Sequence, residues 1–218
     1  MTAPAHEVTA RAPAKINLSL RVGPRRPDGY HPLATVFHAV DLDDVVTAKA
    51  IDVDAVTVEV VDEHGAAVPG VPRDGSNLAV RAALLLRDEA AMAGRGVHLT
   101  VRKSIPVAGG MAGGSADAAA TLVACDALWA TGFGRDRLVG LAARLGSDVP
   151  FALFGGTAIG TGRGEQVEPV SAPHPLHWVV ARSSTGLSTP AVYAALDGLR
   201  ADAGAVDPRI DALSLIHI

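Results

Sequence analysis

Apolar and polar residues alternate near the start of this chain. Ile16, Leu18, Leu20 and Val22 fall on one side, and Asn17, Ser19 and Arg21 on the other, so residues 8–22 read as a half-buried strand. The segment Arg25-Arg26-Pro27-Asp28-Gly29 then reads as a turn, because Pro presets φ and Asp-Gly suits a tight reversal. Residues 33–40 and 45–50 are rich in β-branched side chains and predict extended backbone, as does the alternating run 56–61, which Asp62-Glu63-His64-Gly65 ends. Residues 77–92 predict a helix, with Ser76 as N-cap and Gly94 as the stop. Val97, Leu99 and Val101 alternate with His98, Thr100 and Arg102, which predicts another strand. Two helices follow, over 116–129 and over 135–145, the second closed by Gly146. Residues 151–159 and 178–182 read as further strands. No repeat or low-complexity tract interrupts this alternation of strand and helix.

Composition narrows the picture a little. The 218 residues are 49% hydrophobic and 19% charged, an ordinary globular balance with room for one large domain or two small ones. The net charge of −4 gives no footprint for nucleic acid, and the basic cluster 21–26 is too short to supply one. With Cys125 as the single cysteine, no intrachain disulfide can form, and a reducing cytoplasmic setting is expected. The first residues carry Glu7 and Arg11 and do not read as a signal peptide, and no apolar run approaches a membrane span.

Candidate chemistry begins where the 97–101 strand meets the next helix. Residues 106–117 read Pro-Val-Ala-Gly-Gly-Met-Ala-Gly-Gly-Ser-Ala-Asp. Backbone without a Cβ can approach a ligand closely, and a following helix N-terminus offers free N–H groups and partial positive charge. The two together suit phosphate, although a close-packed turn accounts for the same residues. No lysine follows Gly114, so this is not a Walker loop, and Gly-x-Gly-x-x-Gly is absent here too. Any phosphate would be held by backbone amides and the helix dipole, with Ser115 as a hydroxyl donor or Mg²⁺ contact. Three further segments carry polar groups in apolar surroundings. Lys15 in Pro13-Ala-Lys15-Ile-Asn17-Leu18 is either a snorkelling side chain or a cation that steadies an anion. Asp148 in Gly146-Ser-Asp148-Val-Pro150-Phe151 either closes an Asx-turn or serves as a general base. Tyr30 and His31, after Asp28-Gly29, form either a plain surface loop or a platform for a planar ring.

Taken in order, these segments resemble the GHMP (galactokinase, homoserine, mevalonate and phosphomevalonate) kinase superfamily. The stretches 28–31 and 155–165, the latter reading Gly-Gly-Thr-Ala-Ile-Gly-Thr-Gly-Arg-Gly-Glu, are similar to the family within it that phosphorylates 4-diphosphocytidyl-2-C-methyl-D-erythritol. The resemblance runs from about Arg11 to Tyr193. It implies an α+β fold of two domains, an N-terminal ATP-binding domain over 1–160 and a C-terminal domain beginning at 161. It implies a cytoplasmic, ATP- and Mg²⁺-dependent transferase of the non-mevalonate isoprenoid route, acting on the 2-hydroxyl of that small molecule. No nucleic-acid or membrane partner is implied. Lys15 and Asp148 match the family's catalytic pair. Pro106, Val107, Ala108, Gly109, Gly110, Met111, Ala112, Gly113, Gly114, Ser115 and Ala116 match its ATP-phosphate loop. Asn17, Tyr30, His31, Thr189 and Tyr193 match positions on the substrate side. No residue can be assigned to a metal. The chain departs from the family after Asp211, where a third glycine-rich motif is missing, so the second domain over 161–218 is expected to be incomplete and to leave apolar faces uncovered. Two alternatives stand beside this reading: another GHMP kinase with a different acceptor, and a non-catalytic nucleotide-binding fragment.

Overall fold

The structure is a computed structural model, and it describes residues 6–172, 174–181, 186 and 188–200. Six strands build one sheet, β1 (Glu7–Val22), β2 (Leu33–Ile51), β3 (Val56–Val61), β4 (Gly96–Arg102), β5 (Thr157–Thr161) and β6 (Gln166–Val170). Five helices accompany it, α1 (Leu78–Glu89), α2 (Gly113–Trp129), α3 (Arg135–Leu145), α4 (Val149–Phe154) and α5 (Thr189–Leu199).

The 19-residue β2 organises the sheet. It pairs antiparallel with β1 along its length. Its other edge is shared: residues from Val45 to Ile51 pair with β4, and residues from Thr35 to His38 pair with β5. β3 lies beyond β4 and runs parallel to it, which requires a crossover; α1 makes that crossing. β6 closes the far edge against β5. The expected strands 33–40 and 45–50 are therefore one strand, bent where its register with β1 slips between Pro13 and Ala14.

The core lies between this sheet and the helices. Ala12, Ala14, Val46, Ala48, Leu99 and Val101 of the sheet meet Ala79, Ala83 and Leu86 of α1 and a run of alanines and leucines from α2. α2 is enclosed on nearly all sides, with 11 of its 17 residues buried, which its short apolar side chains permit. A smaller cluster of Phe37, Phe151 and Ala158 seals the end of the sheet nearest α4.

Four expectations are corrected. Ser76 does not cap α1: its hydroxyl is taken by Asp74 at 2.6 Å, and Asn77 caps instead, accepting from the Ala79 N–H at 2.8 Å. The helix ends at Glu89, and the left-handed turn falls first on Ala91 at φ 52° rather than on Gly94. The apolar run 151–159 is not one strand. Its first part is α4, with Pro150 in the first turn, and β5 begins only after Gly155 and Gly156 turn the chain with positive φ. Residues 178–181 take no regular structure. Arg182 lies outside the described residues, as do residues 201–218, on which the expectation of an incomplete second domain turned.

Candidate active site

A cleft of about 1410 Å³ opens between β1, the β1–β2 loop, the glycine loop and α5. Its floor comes from β1. Lys15 and Asn17 sit two residues apart and so project to the same side of the strand, and the Lys15 Nζ donates to Asn17 Oδ1 at 2.8 Å. Asn17 donates in turn to the Thr35 hydroxyl at 2.6 Å, and that hydroxyl donates to the Ser19 carbonyl at 2.8 Å. The chain of bonds fixes the Asn17 amide and, through it, the ammonium. Lys15 is only 9% exposed, so it does not snorkel to bulk water. Its Nζ stands 3.6 Å from Asp148 Oδ2. Asp148 stands at the N-cap position of α4, just past the end of α3, but makes no side-chain capping bond, and its carboxylate lines the cleft, about one third exposed (33%).

The glycine loop forms the next wall. Its backbone turns through left-handed conformations at Ala108 (φ 55°), Gly110 (φ 71°) and Ala112 (φ 59°). Two of those three are alanines, an uncommon conformation for residues with a Cβ. The Met111 carbonyl accepts from the Lys15 N–H at 3.1 Å, which ties the loop to the floor strand beside the lysine. α2 then starts at Gly113, with no side chain capping its N-terminus and no acidic residue in its first turn. That end of the helix is suited to an anion. Residues Pro106 to Ala112 and Ser115 line the cleft. Gly113, Gly114 and Ala116 do not. Gly113 packs behind the loop, and Ala116 is fully buried with its N–H committed to the Ala112 carbonyl at 2.9 Å.

The opposite side is aromatic. Tyr30 follows a turn in which Gly29 takes φ 84° and Asp28 accepts from the Tyr30 N–H at 2.9 Å. Its ring carries the Arg163 guanidinium 4.8 Å above its centre. His31 is buried, stacked on Tyr193 of α5 at 4.9 Å, and its Nε2–H donates to Asp197 Oδ1 at 2.7 Å. Burial, and then the Asp148 charge, push the Tyr193 hydroxyl above its ordinary pKa, so it stays protonated and available as a donor. Thr189 lines the cleft from the first turn of the same helix.

The sequence-predicted residues Lys15, Asn17, Tyr30, His31, Asp148, Thr189 and Tyr193 thus converge on one cleft, although they are drawn from points 178 positions apart. The family model for the GHMP kinases N terminal domain matches residues 77–156. The 4-diphosphocytidyl-2-C-methyl-D-erythritol kinase of Pseudarthrobacter chlorophenolicus is 50% identical, over 98% of this chain and 72% of its own length. The chain belongs to the GHMP kinases, in the 4-diphosphocytidyl-2-C-methyl-D-erythritol kinase family. The kinase of the same name from Kineococcus radiotolerans is 58% identical over 90% of this chain and 60% of its own length. The chain spans about 60% of the length of that relative and of the one from Salinispora arenicola. A crystal structure of 4-(cytidine 5'-diphospho)-2C-methyl-D-erythritol kinase superposes with TM-score 0.58 at 38% identity, covering 76% of this chain and 56% of that one. A homoserine kinase from Cytophaga hutchinsonii has the same fold, with TM-score 0.60 at 16% identity over 80% of this chain and 54% of its own. The fold is the α+β fold of the GHMP kinases.

Sequence reasoning about this GHMP kinase missed several groups. Thr35 gave no signal, being one of several polar residues along β2. Arg163 lay in the 155–165 segment that carried the resemblance, but it was given no role of its own. Asp197 stands four positions after Tyr193 and therefore on the same helical face, a spacing that could have paired them. Asp44, Lys103 and Asp117 form a buried ionic cluster behind the loop. Among the described residues no helix is long and apolar enough to cross a membrane.

Proposed function

We propose that this cleft transfers the γ-phosphoryl group of ATP to the 2-hydroxyl of 4-diphosphocytidyl-2-C-methyl-D-erythritol. The observation that carries the reading is the Lys15–Asp148 pair, 3.6 Å apart, at the foot of an anion-suited loop within one cleft. Direct phosphoryl transfer asks little covalent work of a protein. It asks for positioned phosphates, neutralised charge and an acceptor hydroxyl in line. Asp148 takes the proton of the acceptor hydroxyl as the hydroxyl oxygen bonds to the γ-phosphorus and the bond from that phosphorus to the β–γ bridging oxygen breaks, releasing ADP. Lys15, beside Asp148, offsets charge on the phosphoryl oxygens. The amides of the loop from Pro106 to Ala112, with Ser115, hold the triphosphate.

Magnesium fits these residues in a limited way. Among the described residues no three His, Cys, Asp or Glu side chains gather as a metal cage. Mg²⁺ in phosphoryl-transfer sites needs few protein ligands, since phosphates and water complete its shell. The Ser115 hydroxyl is the contact this cleft supplies, and the ion would neutralise phosphate charge. At the other end, Tyr30, His31 and Tyr193 offer ring faces to cytosine, while Asn17 and Thr189 offer polar groups to the rest of the acceptor. The division into an ATP-binding domain over 1–160 and a second domain from 161 belongs to the same proposal.

The test incubates the protein with ATP, Mg²⁺ and the cytidyl acceptor and follows product by ³¹P nuclear magnetic resonance. It is run on this chain and on the chain continued by the C-terminal remainder of a relative. A new phosphomonoester on the acceptor, with none formed on homoserine or mevalonate, supports the reading. Equal turnover of the other acceptors would overturn the assigned specificity, and binding of ATP with no transfer by either protein would overturn the catalytic reading.

A further inference from the structure

The cleft holds a guanidinium to which the proposed chemistry gives no task. Besides the His31 ring, its lining carries three cationic side chains, Lys15, Arg25 and Arg163, and two carboxylates, Asp148 and Asp197. Both carboxylates are engaged, Asp148 beside Lys15 at 3.6 Å and Asp197 on His31 at 2.7 Å. Arg25 is exposed on the β1–β2 loop, where its Nε donates to the Gly29 carbonyl at 3.3 Å. Arg163 is different. It is half-buried, and the backbone on both sides of it is held in place.

Arg163 belongs to the turn between β5 and β6. The Gly164 N–H closes that turn on the Thr161 carbonyl at 2.9 Å, with Gly162 and Gly164 at φ 71° and 108°. The Gly162 carbonyl accepts from the Leu33 N–H at 2.7 Å, which hangs the turn on the start of β2, just past the Tyr30 loop. Glu165 braces the turn, its Oε2 accepting from the Arg163 N–H at 2.6 Å. That carboxylate is the one acid within 4 Å of the guanidinium among the described residues, at 3.9 Å from Nε, which is beyond hydrogen-bond reach, and it is not part of the cleft lining. Gly164 is buried, and a Cβ on it would stand 3.5 Å from Phe37 Cζ and 3.7 Å from Ser147 Cβ. Ser147 immediately precedes Asp148, and the Lys15 Nζ lies 5.8 Å from the centre of the Phe37 ring. The turn is therefore packed on the wall that carries Lys15 and Asp148, while its arginine reaches to 4.8 Å from the centre of the Tyr30 ring. Arg163 stands in the interval between the reacting end of the cleft and its aromatic end.

The covalent order of the acceptor says what occupies that interval. Cytidine is at one end of the molecule, the methylerythritol with its reacting hydroxyl is at the other, and an anionic diphosphate joins them. With the base at Tyr30 and the hydroxyl at Asp148, the diphosphate falls beside Arg163. We propose that Arg163 binds this diphosphate, so that the cleft selects a nucleoside diphosphate ester over the bare nucleoside. The inference rests on the reading of Tyr30 and His31 as the cytosine end. A guanidinium can lie against an aromatic ring and still present its N–H donors, in a planar fork, to phosphate oxygens. Arg163 thereby couples the two recognitions: the side chain that braces Tyr30 is the one that meets the phosphates attached to the base.

The experiment separates the two tasks by using ligands with and without phosphate. Cytidine and cytidine diphosphate are titrated into the 218-residue protein and into Arg163→Gln by ligand-observed nuclear magnetic resonance, and MgATP is titrated calorimetrically into both. Arg163→Gln is expected to weaken cytidine diphosphate about ten- to hundredfold, the usual range for a lost charge-assisted contact, and to leave cytidine and MgATP within about twofold. Equal losses for cytidine and cytidine diphosphate would show that the guanidinium only braces Tyr30, and that outcome overturns the inference. Unchanged affinity for cytidine diphosphate overturns it as well, and so does a loss of MgATP affinity as large as the loss for cytidine diphosphate. If neither cytidine nor cytidine diphosphate binds the unsubstituted protein, the cytosine reading of the aromatic end fails and the inference fails with it. Should Arg163→Gln not fold, Arg163→Met, which keeps the aliphatic stem and removes the charge, is measured in its place with the same outcomes decisive.

Discussion

At the scale of single residues, the cleft sorts its polar groups by what each can reach. Asp148 is the only carboxylate among the described residues that faces Lys15 within 4 Å, so loss of its charge should remove proton acceptance and little else. Asp148→Asn is expected to slow phosphoryl transfer by about 10²–10⁴-fold and to leave MgATP affinity within about twofold. Single-turnover rates beside calorimetric titration check this, and turnover within tenfold of the parent would remove Asp148 from its role. Thr35 makes a different point. It touches no proposed substrate group directly, yet it accepts from Asn17 and donates to the Ser19 carbonyl. Thr35→Val preserves shape and strands the Asn17 amide, a loss of about 1–3 kcal/mol in that chain of bonds. The expected outcome is a raised KM for the cytidyl acceptor with KM for ATP unchanged. A raised KM for ATP instead would place Asn17 on the nucleotide side.

At the scale of elements, what the sequence made legible follows from period and punctuation. α3 was predicted with its observed bounds because an apolar stripe of period 3.6 ran into Gly146. β4 and its passage into the glycine loop were equally plain, since strict alternation ended at a proline and a glycine cluster. The run 151–159 misled because a short apolar stretch has no period to read, and only tertiary packing of Phe151 against Phe37, ring centres 4.9 Å apart, decides for a helical turn there. In β1 the alternation was real but its sense was not constant: the register slips after Pro13 and again before Ser19, and Leu20 ends 48% exposed on the cleft side. Such bulges leave no mark in a hydrophobic pattern. Lys15 and Asp148 were legible as candidates because charges in apolar surroundings stand out, whereas Thr35 and Asp197 act through partners 16 and 166 residues away.

The glycine loop itself separates two roles that its sequence merges. Gly110 lines the cleft at φ 71° with nothing near its missing Cβ, whereas a Cβ on Gly113 would meet Lys103 Nζ at 3.1 Å and Ile105 Cγ2 at 3.2 Å. Gly114 is in ordinary contact range of Leu78 at 3.5 Å, so a branched residue there reports on helix packing more than on phosphate. Gly110→Ala should cost about 1–2 kcal/mol of backbone strain, shift melting temperature by only a few degrees, and weaken MgATP binding by disturbing the loop's amides. Gly113→Ala should lower both melting temperature and affinity. Equal effects of the two substitutions on stability, with ATP affinity untouched by either, would make the loop a packing device alone.

At the scale of the whole molecule, the fold and the cleft draw on different parts of the chain. Among the described residues, every buried hydrophobic side chain lies at or before Ala158. α5 buries none of its residues, and Val192 and Leu199 are 49% and 84% exposed. What α5 contributes is polar and aromatic: Tyr193 against His31, Asp197 on the His31 ring nitrogen, and Arg200 Nη1 on the Val22 carbonyl at 2.7 Å. Stability that tracks buried apolar area should therefore reside in the sheet and α1 to α4, while recognition of a ring at the Tyr30–His31 loop should depend on α5. Ending the chain after Val170, the last residue of β6, is expected to leave a cooperatively unfolding protein whose melting temperature falls by no more than a few degrees. MgATP should still bind, because Lys15, Asp148 and the loop from Pro106 to Ser115 are all retained. Binding of cytidine diphosphate at the aromatic end should be lost, since His31 would have neither Tyr193 to stack on nor Asp197 to orient it. Calorimetric titration of the two nucleotides into the shortened and the 218-residue proteins decides the point. Retained cytidine diphosphate affinity would show that Tyr30 and the β1–β2 loop suffice for the ring, and a collapse of the melting temperature would show that α5 carries core stability that its exposure does not reveal.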